Sequence, residues 1–407
     1  LLLGVTTHIS TDVAAVPLLW VVPLALYLLT FVLVFARRKL LPHHWMLRAQ
    51  PYLVVLLAAL FFQNATKTVG VFLALHLVTF FVTTMICHGE LARVRPHASR
   101  LTEFYIWMSV GGVLGGLFNA IVAPNLFATV LEYPLIIVLA CMLRPVSDSP
   151  AHAARARWLD FALPAAVAVV LVGFVWALET AGVVLAVAGA ALILAPAGLV
   201  AFGSEKRPIR FGLSVGAVLL VSLMVSGTES GQLHVERNFY GVVRVRHDRQ
   251  LNANVLVHGS TNHGMQSQDP DGSDRPLSYF HQAGPLGELF GMLDETAAVR
   301  DIGIIGLGTG SIATYGHPGQ RITYYEIDPA VQRIAKDPRF FTFLRNQETE
   351  LDVVLGDARL TLAAAPNDHY DLFILDAFSS DAIPIHLITR EAVRLYLDKL
   401  DDDGLLA

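Results

Sequence analysis

Three glycines at alternate positions, Gly306, Gly308 and Gly310, follow directly on residues 299–305, a candidate for a buried strand. Bare main chain of this kind lets a ligand approach closely, and an acid closing the next strand can hold a ribose by its two hydroxyls. Glu326 occupies that place, 16 residues beyond Gly310, near the end of the run at 321–327. Two more acid-tipped runs follow. Residues 352–355 lead to Gly356-Asp357-Ala358, and residues 371–375 lead to Asp376-Ala377-Phe378. Strands in this order put every one of these loops on the carboxyl edge of a parallel sheet, where open α/β sheets bind their ligands. The chemistry expected there is recognition of a nucleoside.

The elements that hold these residues are legible from periodicity. A helix is expected after the glycine turn, and Asp328 before Pro329 reads as the N-cap of another. Upstream, residues 241–247 and 254–259 alternate apolar and polar positions, the mark of short β-strands in a small antiparallel sheet. Residues 269–275, rich in Asp, Gly and Pro, read as a loop. His258, His263 and His281 lack the spacing of a ligand pair, so no metal is expected.

The first half of the chain is of a different kind. Of 407 residues, 54% are hydrophobic and 15% charged, against about 25% charged in a soluble domain. Residues 1–226 carry 14 basic and 8 acidic side chains, a net of +6, while 227–407 carry 15 and 26, a net of −11. Uncharged runs fall at 13–36, 52–64 with its flanks, 68–87, 104–123, 126–143 (interrupted by Glu132), 161–178, 180–202 and 211–228. Crossing a bilayer takes about 20 such residues, so seven to eight transmembrane helices are expected.

Basic residues follow alternate runs: Arg37, Arg38, Lys39 and Arg48; then Arg93, Arg95 and Arg100; then Arg144, Arg155 and Arg157; then Lys206, Arg207 and Arg210. This is the asymmetry of cytoplasmic loops. An eighth crossing would put the C-terminal half outside. The eighth run has only 18 residues and three serines, so it is read as a tilted, re-entrant or interfacial segment that leaves that half in the cytoplasm. Glu90 and Glu103 read as interfacial partners of nearby arginines. Gly111-Gly112 and Gly115-Gly116 read as a face for close helix packing. Cys87 and Cys141 lie in apolar surroundings, which excludes a disulfide framework.

The expected architecture is a multi-pass α-helical membrane domain followed by an α/β domain. The domains are a transmembrane region at 1–228, a β-hairpin subdomain at 229–285 and an incomplete Rossmann-like, methyltransferase-type nucleoside-binding sheet at 286–407. Gly404-Leu405-Leu406-Ala407 reads as the opening of a further strand, cut short at the C-terminus.

The spacing Gly-x-Gly-x-Gly, with acids closing the second and third strands, resembles the S-adenosylmethionine-type fold. A longer ordered set is more specific. It comprises Asn238-Phe239-Tyr240-Gly241-Val242-Val243-Arg244-Val245, His258-Gly259, Ser278-Tyr279, the glycine turn, Glu326-Ile327-Asp328-Pro329, Gly356-Asp357-Ala358 and Asp376. From about Leu233 onward this set resembles the spermidine synthases, the polyamine aminopropyltransferases. With Cys87-His88-Gly89-Glu90 and Leu101-Thr102-Glu103-Phe104-Tyr105, the first half looks like the multi-pass region of bacterial membrane-bound spermidine synthase-like proteins.

The resemblance implies that Gly306, Gly308, Gly310 and Glu326 hold the nucleoside and that Asp357 and Ala358 meet the adenine. It implies that Asp376 takes the amine proton and that Tyr279 lines the amine channel, with Asp381 or Tyr279 orienting the amine; Asp381 also reads as a helix cap. The co-substrate implied is decarboxylated S-adenosylmethionine, or S-adenosylmethionine itself, with a small-molecule amine as acceptor. The bilayer is the other expected partner. A homo-oligomer is open, no nucleic acid is expected, and the implied location is the bacterial inner membrane. Departures from the pattern are His281 two residues after the tyrosine, Thr309 inside the turn, His258 in the second hairpin, and Asp381 five residues after Asp376 instead of three. Each stands where the family has, or spaces, an acid. Two alternatives therefore stay open: a methyltransferase, and a transporter or sensor whose nucleoside-binding domain does not turn over.

Overall fold

The computed structural model describes residues 1–10, 18–38, 40–60, 69–145, 158–181, 198, 202–204, 206–229, 231–259, 261–296, 299–345, 348–377 and 384–407. The chain divides into two compact units, Leu1–Glu229 and Ser230–Ala407.

Every described element of the first unit is a helix. Three of them are long and apolar enough to cross a membrane: Val69–Arg93, Ala98–Leu126 and Leu159–Ala177. Val21–Phe35, Glu132–Met142 and Pro208–Ser222 are shorter apolar helical stretches, and most of the run at 180–202 lies outside the described residues. The last helix differs from its expected length. It runs unbroken over Pro208–Glu229, 22 residues or about 33 Å at helical rise. Brevity therefore does not separate it from a spanning helix.

Polar contacts tie these helices together. Arg144 donates to Gln50 Oε1 at 2.8 Å and to the Leu47 carbonyl at 3.0 Å. Asp160 accepts from Arg207 and Arg210 at 3.1 and 2.8 Å. Glu90 pairs with Arg93 at 2.9 Å and also meets His43 at 2.7 Å. The four glycines at 111, 112, 115 and 116 have nothing within 4 Å of where a Cβ would stand. No described helix uses that face for packing.

The second unit holds two sheets. Strands β1 (Gln232–Asn238), β2 (Gly241–Asp248), β3 (Ala253–His258) and β4 (Thr261–Ser267) form an antiparallel meander in sequence order. Its apolar face, Val243, Val245 and Leu256, packs against Ile334, Phe340 and Phe341. That contact anchors the meander to the helix Pro329–Lys336 and the segment after it.

The other strands are β5 (Asp301–Ile305), β6 (Arg321–Glu326), β7 (Glu350–Leu355), β8 (Tyr370–Leu375) and β9 (Leu400–Leu406). They form a parallel sheet in the order β7-β6-β5-β8-β9. Both faces are covered, as parallel sheets require. Ile302, Ile304, Ile322, Tyr324, Leu372 and Ile374 pack on one side with Phe280 and Ile312, while Ile305, Tyr325 and Phe373 pack on the other with Leu362 and Tyr396. The strand order reverses between β5 and β8, and such a switch point opens a crevice at the carboxyl ends.

Two expectations change. The glycine turn leads into a 3-10 turn, Ser311–Tyr315, in place of a helix, because Gly316-His317-Pro318-Gly319 ends the segment before an α-helix can propagate. The fifth strand is also present. Expected to open at Gly404 and stop, it begins at Leu400 and pairs along β8. Asp401, Asp402 and Asp403 mask its apolar pattern, and all three are exposed on this edge strand, where charge is tolerated.

Candidate functional site

The glycine turn joins the end of β5 to the crevice at the switch point. Gly306 has a φ of +100°, and a Cβ there would stand 2.3 Å from the Asp376 carbonyl oxygen. Gly308 has a φ of +54°, and its Cβ would stand 2.6 Å from the His263 carbonyl oxygen. Both conformations favour glycine. The close approach at these two positions is made by the protein's own backbone, from β8 on one side and β4 on the other. Gly310 caps the 3-10 turn. Thr309, fully buried, meets Ser311 hydroxyl to hydroxyl at 2.6 Å, so the turn is closed from within.

Glu326 ends β6 and turns back toward this turn. Its Oε2 accepts from the Leu307 backbone N–H at 2.9 Å and its Oε1 from the Asp328 N–H at 2.8 Å. The residue is 7% exposed. Burial raises its pKa, and the two backbone donors oppose that shift. Each carboxylate oxygen has a second acceptor site, so the pair can still take hydroxyl donors. Ile327 beside it is a partly exposed apolar side chain. Asp328 caps the next helix as its place before Pro329 implies, accepting from Ala330 N–H at 2.7 Å and from Asn238 Nδ2 at 2.5 Å. The second bond brings the β1–β2 hairpin to the edge of the sheet, which no spacing in the sequence announces.

Asp376 follows β8, and its N–H donates to the Ile305 carbonyl at 2.9 Å, which holds it beside the glycine turn. Burial pushes its carboxyl up to about 7. Tyr279 belongs to the 3-10 turn Ser278–Phe280. That turn is pinned by the buried Phe280 ring and by Tyr315 Oη, which donates to the Phe280 carbonyl at 2.5 Å. Burial raises the Tyr279 phenol, and the Asp376 charge adds to it, so the two groups are within electrostatic reach. Tyr324, whose place inside an apolar run gives no functional signal, also feels the Asp376 charge, after a larger upward push from burial.

Asp357 is the N-cap of the helix Ala358–Ala363, accepting from Arg359 and Leu360 N–H. Its other oxygen faces His386 Nε2 at 3.5 Å. Ala358 is buried at the first position of that helix. Asp381 lies outside the described residues. His281 Nδ1 accepts from Ala283 N–H at 3.1 Å, a loop contact. His258 packs its ring against the bare Cα of Gly241 and has its pKa lowered, first by burial. Among the described residues no group of three or more His, Cys, Asp or Glu side chains is placed to hold a metal ion.

Gly306, Glu326 and Asp376 are thus brought together around the switch point. Tyr279 joins them from the loop after the meander, and Asp357 stands at the end of β7 on the far side of β6. The arrangement sets the buried Glu326 carboxylate beside a half-buried Asp376 carboxyl whose pKa is raised to about 7.

No protein-family model matches the chain. It is 37% identical over 108 residues to a polyamine aminopropyltransferase from Vibrio vulnificus, a match covering 25% of this chain and 35% of that protein. The chain therefore spans about a third of the length of that curated relative. Among solved structures, a probable spermidine synthase from Corynebacterium glutamicum aligns at 17% identity and a TM-score of 0.37, over 44% of this chain and 62% of that one. A spermidine synthase from Thermotoga maritima aligns at 14% identity and a TM-score of 0.31, over 43% and 56%. Over the matched 108 residues the chain is similar in sequence to a polyamine aminopropyltransferase.

Proposed function

We propose that this spermidine synthase-like chain is a membrane-anchored transferase that moves an aminopropyl or related alkyl group from a decarboxylated S-adenosylmethionine-type donor to an amine. The observation that carries the reading is Asp376, a half-buried carboxylate with its pKa near 7, set against the glycine turn at the carboxyl edge. A base of that strength matches a proton transfer at neutral pH.

In this reading Glu326 accepts from the ribose hydroxyls, and Leu307 N–H keeps its carboxylate turned inward. Asp357 accepts from the base. The acceptor amine enters past Tyr279 and attacks the carbon bound to the sulfonium. A C–N bond forms while the C–S bond breaks, and the electron pair of that bond leaves with the neutral thioether. The new ammonium gives its proton to Asp376. Holding donor and acceptor in line supplies most of the acceleration, and the base supplies the rest.

The apolar helices of the first unit support anchoring in a bilayer, and the reading needs the second unit on the cytoplasmic side because sulfonium donors are made there. The test is incubation of the full chain in detergent micelles with a panel of amines and either the decarboxylated or the carboxylated donor, read by mass spectrometry. Alkylated amine from the decarboxylated donor is expected. Methylated product from the carboxylated donor alone would replace this reading by a methyltransferase.

A further inference from the structure

The loop after β8 carries a group that the proposed chemistry leaves unused. The 3-10 turn Ile385–Leu387 is anchored by Leu387, which is 4% exposed and whose carbonyl accepts from Tyr396 Oη at 2.9 Å. Arg359 Nη1 donates to the His386 carbonyl at 3.2 Å, tying the turn to the start of the helix Ala358–Ala363. Both anchors leave the His386 side chain outside, 47% exposed, with its Nε2 3.5 Å from Asp357 Oδ2.

The two oxygens of Asp357 differ in consequence. Oδ1 is committed to capping the helix, through Arg359 N–H at 2.9 Å and Leu360 N–H at 3.3 Å. Oδ2 is the oxygen left for a base, and His386 is the group facing it.

We infer that His386 is a positioning residue for the nucleobase, competing through its protonated ring for the Asp357 oxygen that receives an exocyclic amine. The inference rests on the nucleoside reading of the site and goes beyond it by naming a residue that sets base selectivity. An amino-purine donates from its 6-position to Oδ2, whereas a 6-oxo-purine has no donor there. With the imidazole neutral, Oδ2 is open to the amine. With the imidazole protonated, the ion pair draws on that oxygen's charge and leaves it a weaker acceptor at its second site, so the advantage of the amino-purine shrinks. The charged and titratable groups that contact this turn are Asp357 at the His386 ring, Arg359 at the His386 carbonyl and Tyr396 at the Leu387 carbonyl. Arg359 reaches the carbonyl and leaves the ring to Asp357.

The experiment measures dissociation constants of adenosine and inosine for the full chain in detergent, by calorimetry, at about pH 5.5 and about pH 8. The ratio of the two constants cancels whatever Glu326 and Asp376 contribute through parts the nucleosides share. In the wild type the preference for adenosine should grow about threefold to fivefold from the lower to the higher pH, the size of a partly exposed ion pair. His386→Gln should hold the high preference at both pH values, and His386→Lys the low one at both. A wild-type ratio that does not move with pH, or a swing that survives in His386→Gln, overturns the inference while the site stands. Failure of the wild type to bind either nucleoside at any pH removes the reading of the site, and this inference with it.

Discussion

Asp376 carries the strongest residue-scale consequences. If it accepts the amine proton, Asp376→Asn should lower kcat by about 10²- to 10⁴-fold and leave donor affinity unchanged by calorimetry. The wild-type rate should rise with pH through a midpoint near 7, because the carboxyl must be ionised to act. Stability runs the other way. The folded carboxyl titrates near 7 and an unfolded aspartate near about 3.9, so folding favours the protonated form. Its contribution is complete below the unfolded value and is lost as pH rises through 7. Asp376→Asn should therefore raise the melting temperature more at about pH 8 than at about pH 5, as read by scanning fluorimetry. Asp376 and Glu326 are visible in the sequence because each closes an apolar run. The role of Tyr279 comes only through a resemblance, since a tyrosine in a polar loop has no periodicity to mark it. His386 gives no signal, because its meaning depends on Asp357, 29 positions away.

At the scale of elements, the parallel strands are legible as acid-tipped apolar runs, and the meander as alternation. The edge strand β9 is half hidden by its three aspartates, and the helix expected after the glycine turn is a 3-10 turn because three breaking residues, Gly316, Pro318 and Gly319, follow it. The glycines also have an unexpected reason to be glycine. Gly306→Ala would drive a Cβ into the Asp376 carbonyl, so it should cost about 2 kcal/mol or more and displace the very residue proposed as base. Chemical denaturation and the kcat of any surviving folded fraction would read both effects. Lys399 teaches the same lesson about context. It closes the helix Arg390–Lys399, a place where lysine is usually solvated, yet it is 4% exposed. Its ammonium donates to the Ala365 carbonyl at 2.6 Å, Asn367 Oδ1 at 2.7 Å and the Ala363 carbonyl at 3.4 Å. Lys399→Met keeps the stem and strands those acceptors, so a loss of about 2 to 3 kcal/mol is expected from the unfolding midpoint.

For the whole molecule, composition alone separates two units, because a net of +6 with long uncharged runs and a net of −11 with alternating ones suit different solvents. The number of crossings is less legible. Run length counts apolar residues but does not show where a helix ends, as the extension of the last helix to Glu229 illustrates. A chain anchored as proposed should stay with the membrane fraction through an alkaline wash. A reporter fused after residue 260 should be active on the cytoplasmic side, whereas a periplasmic signal would separate the site from its donor. The central claim is narrower than topology: an adenosine group sits at the crossover between β5 and β6 with its sugar held by Glu326. The most direct measurement is calorimetric titration of decarboxylated S-adenosylmethionine into the full chain and its Glu326→Gln variant. Saturable binding by the wild type, weakened about tenfold or more in the variant, is the predicted result. Equal binding by both, or binding by neither, would contradict the account.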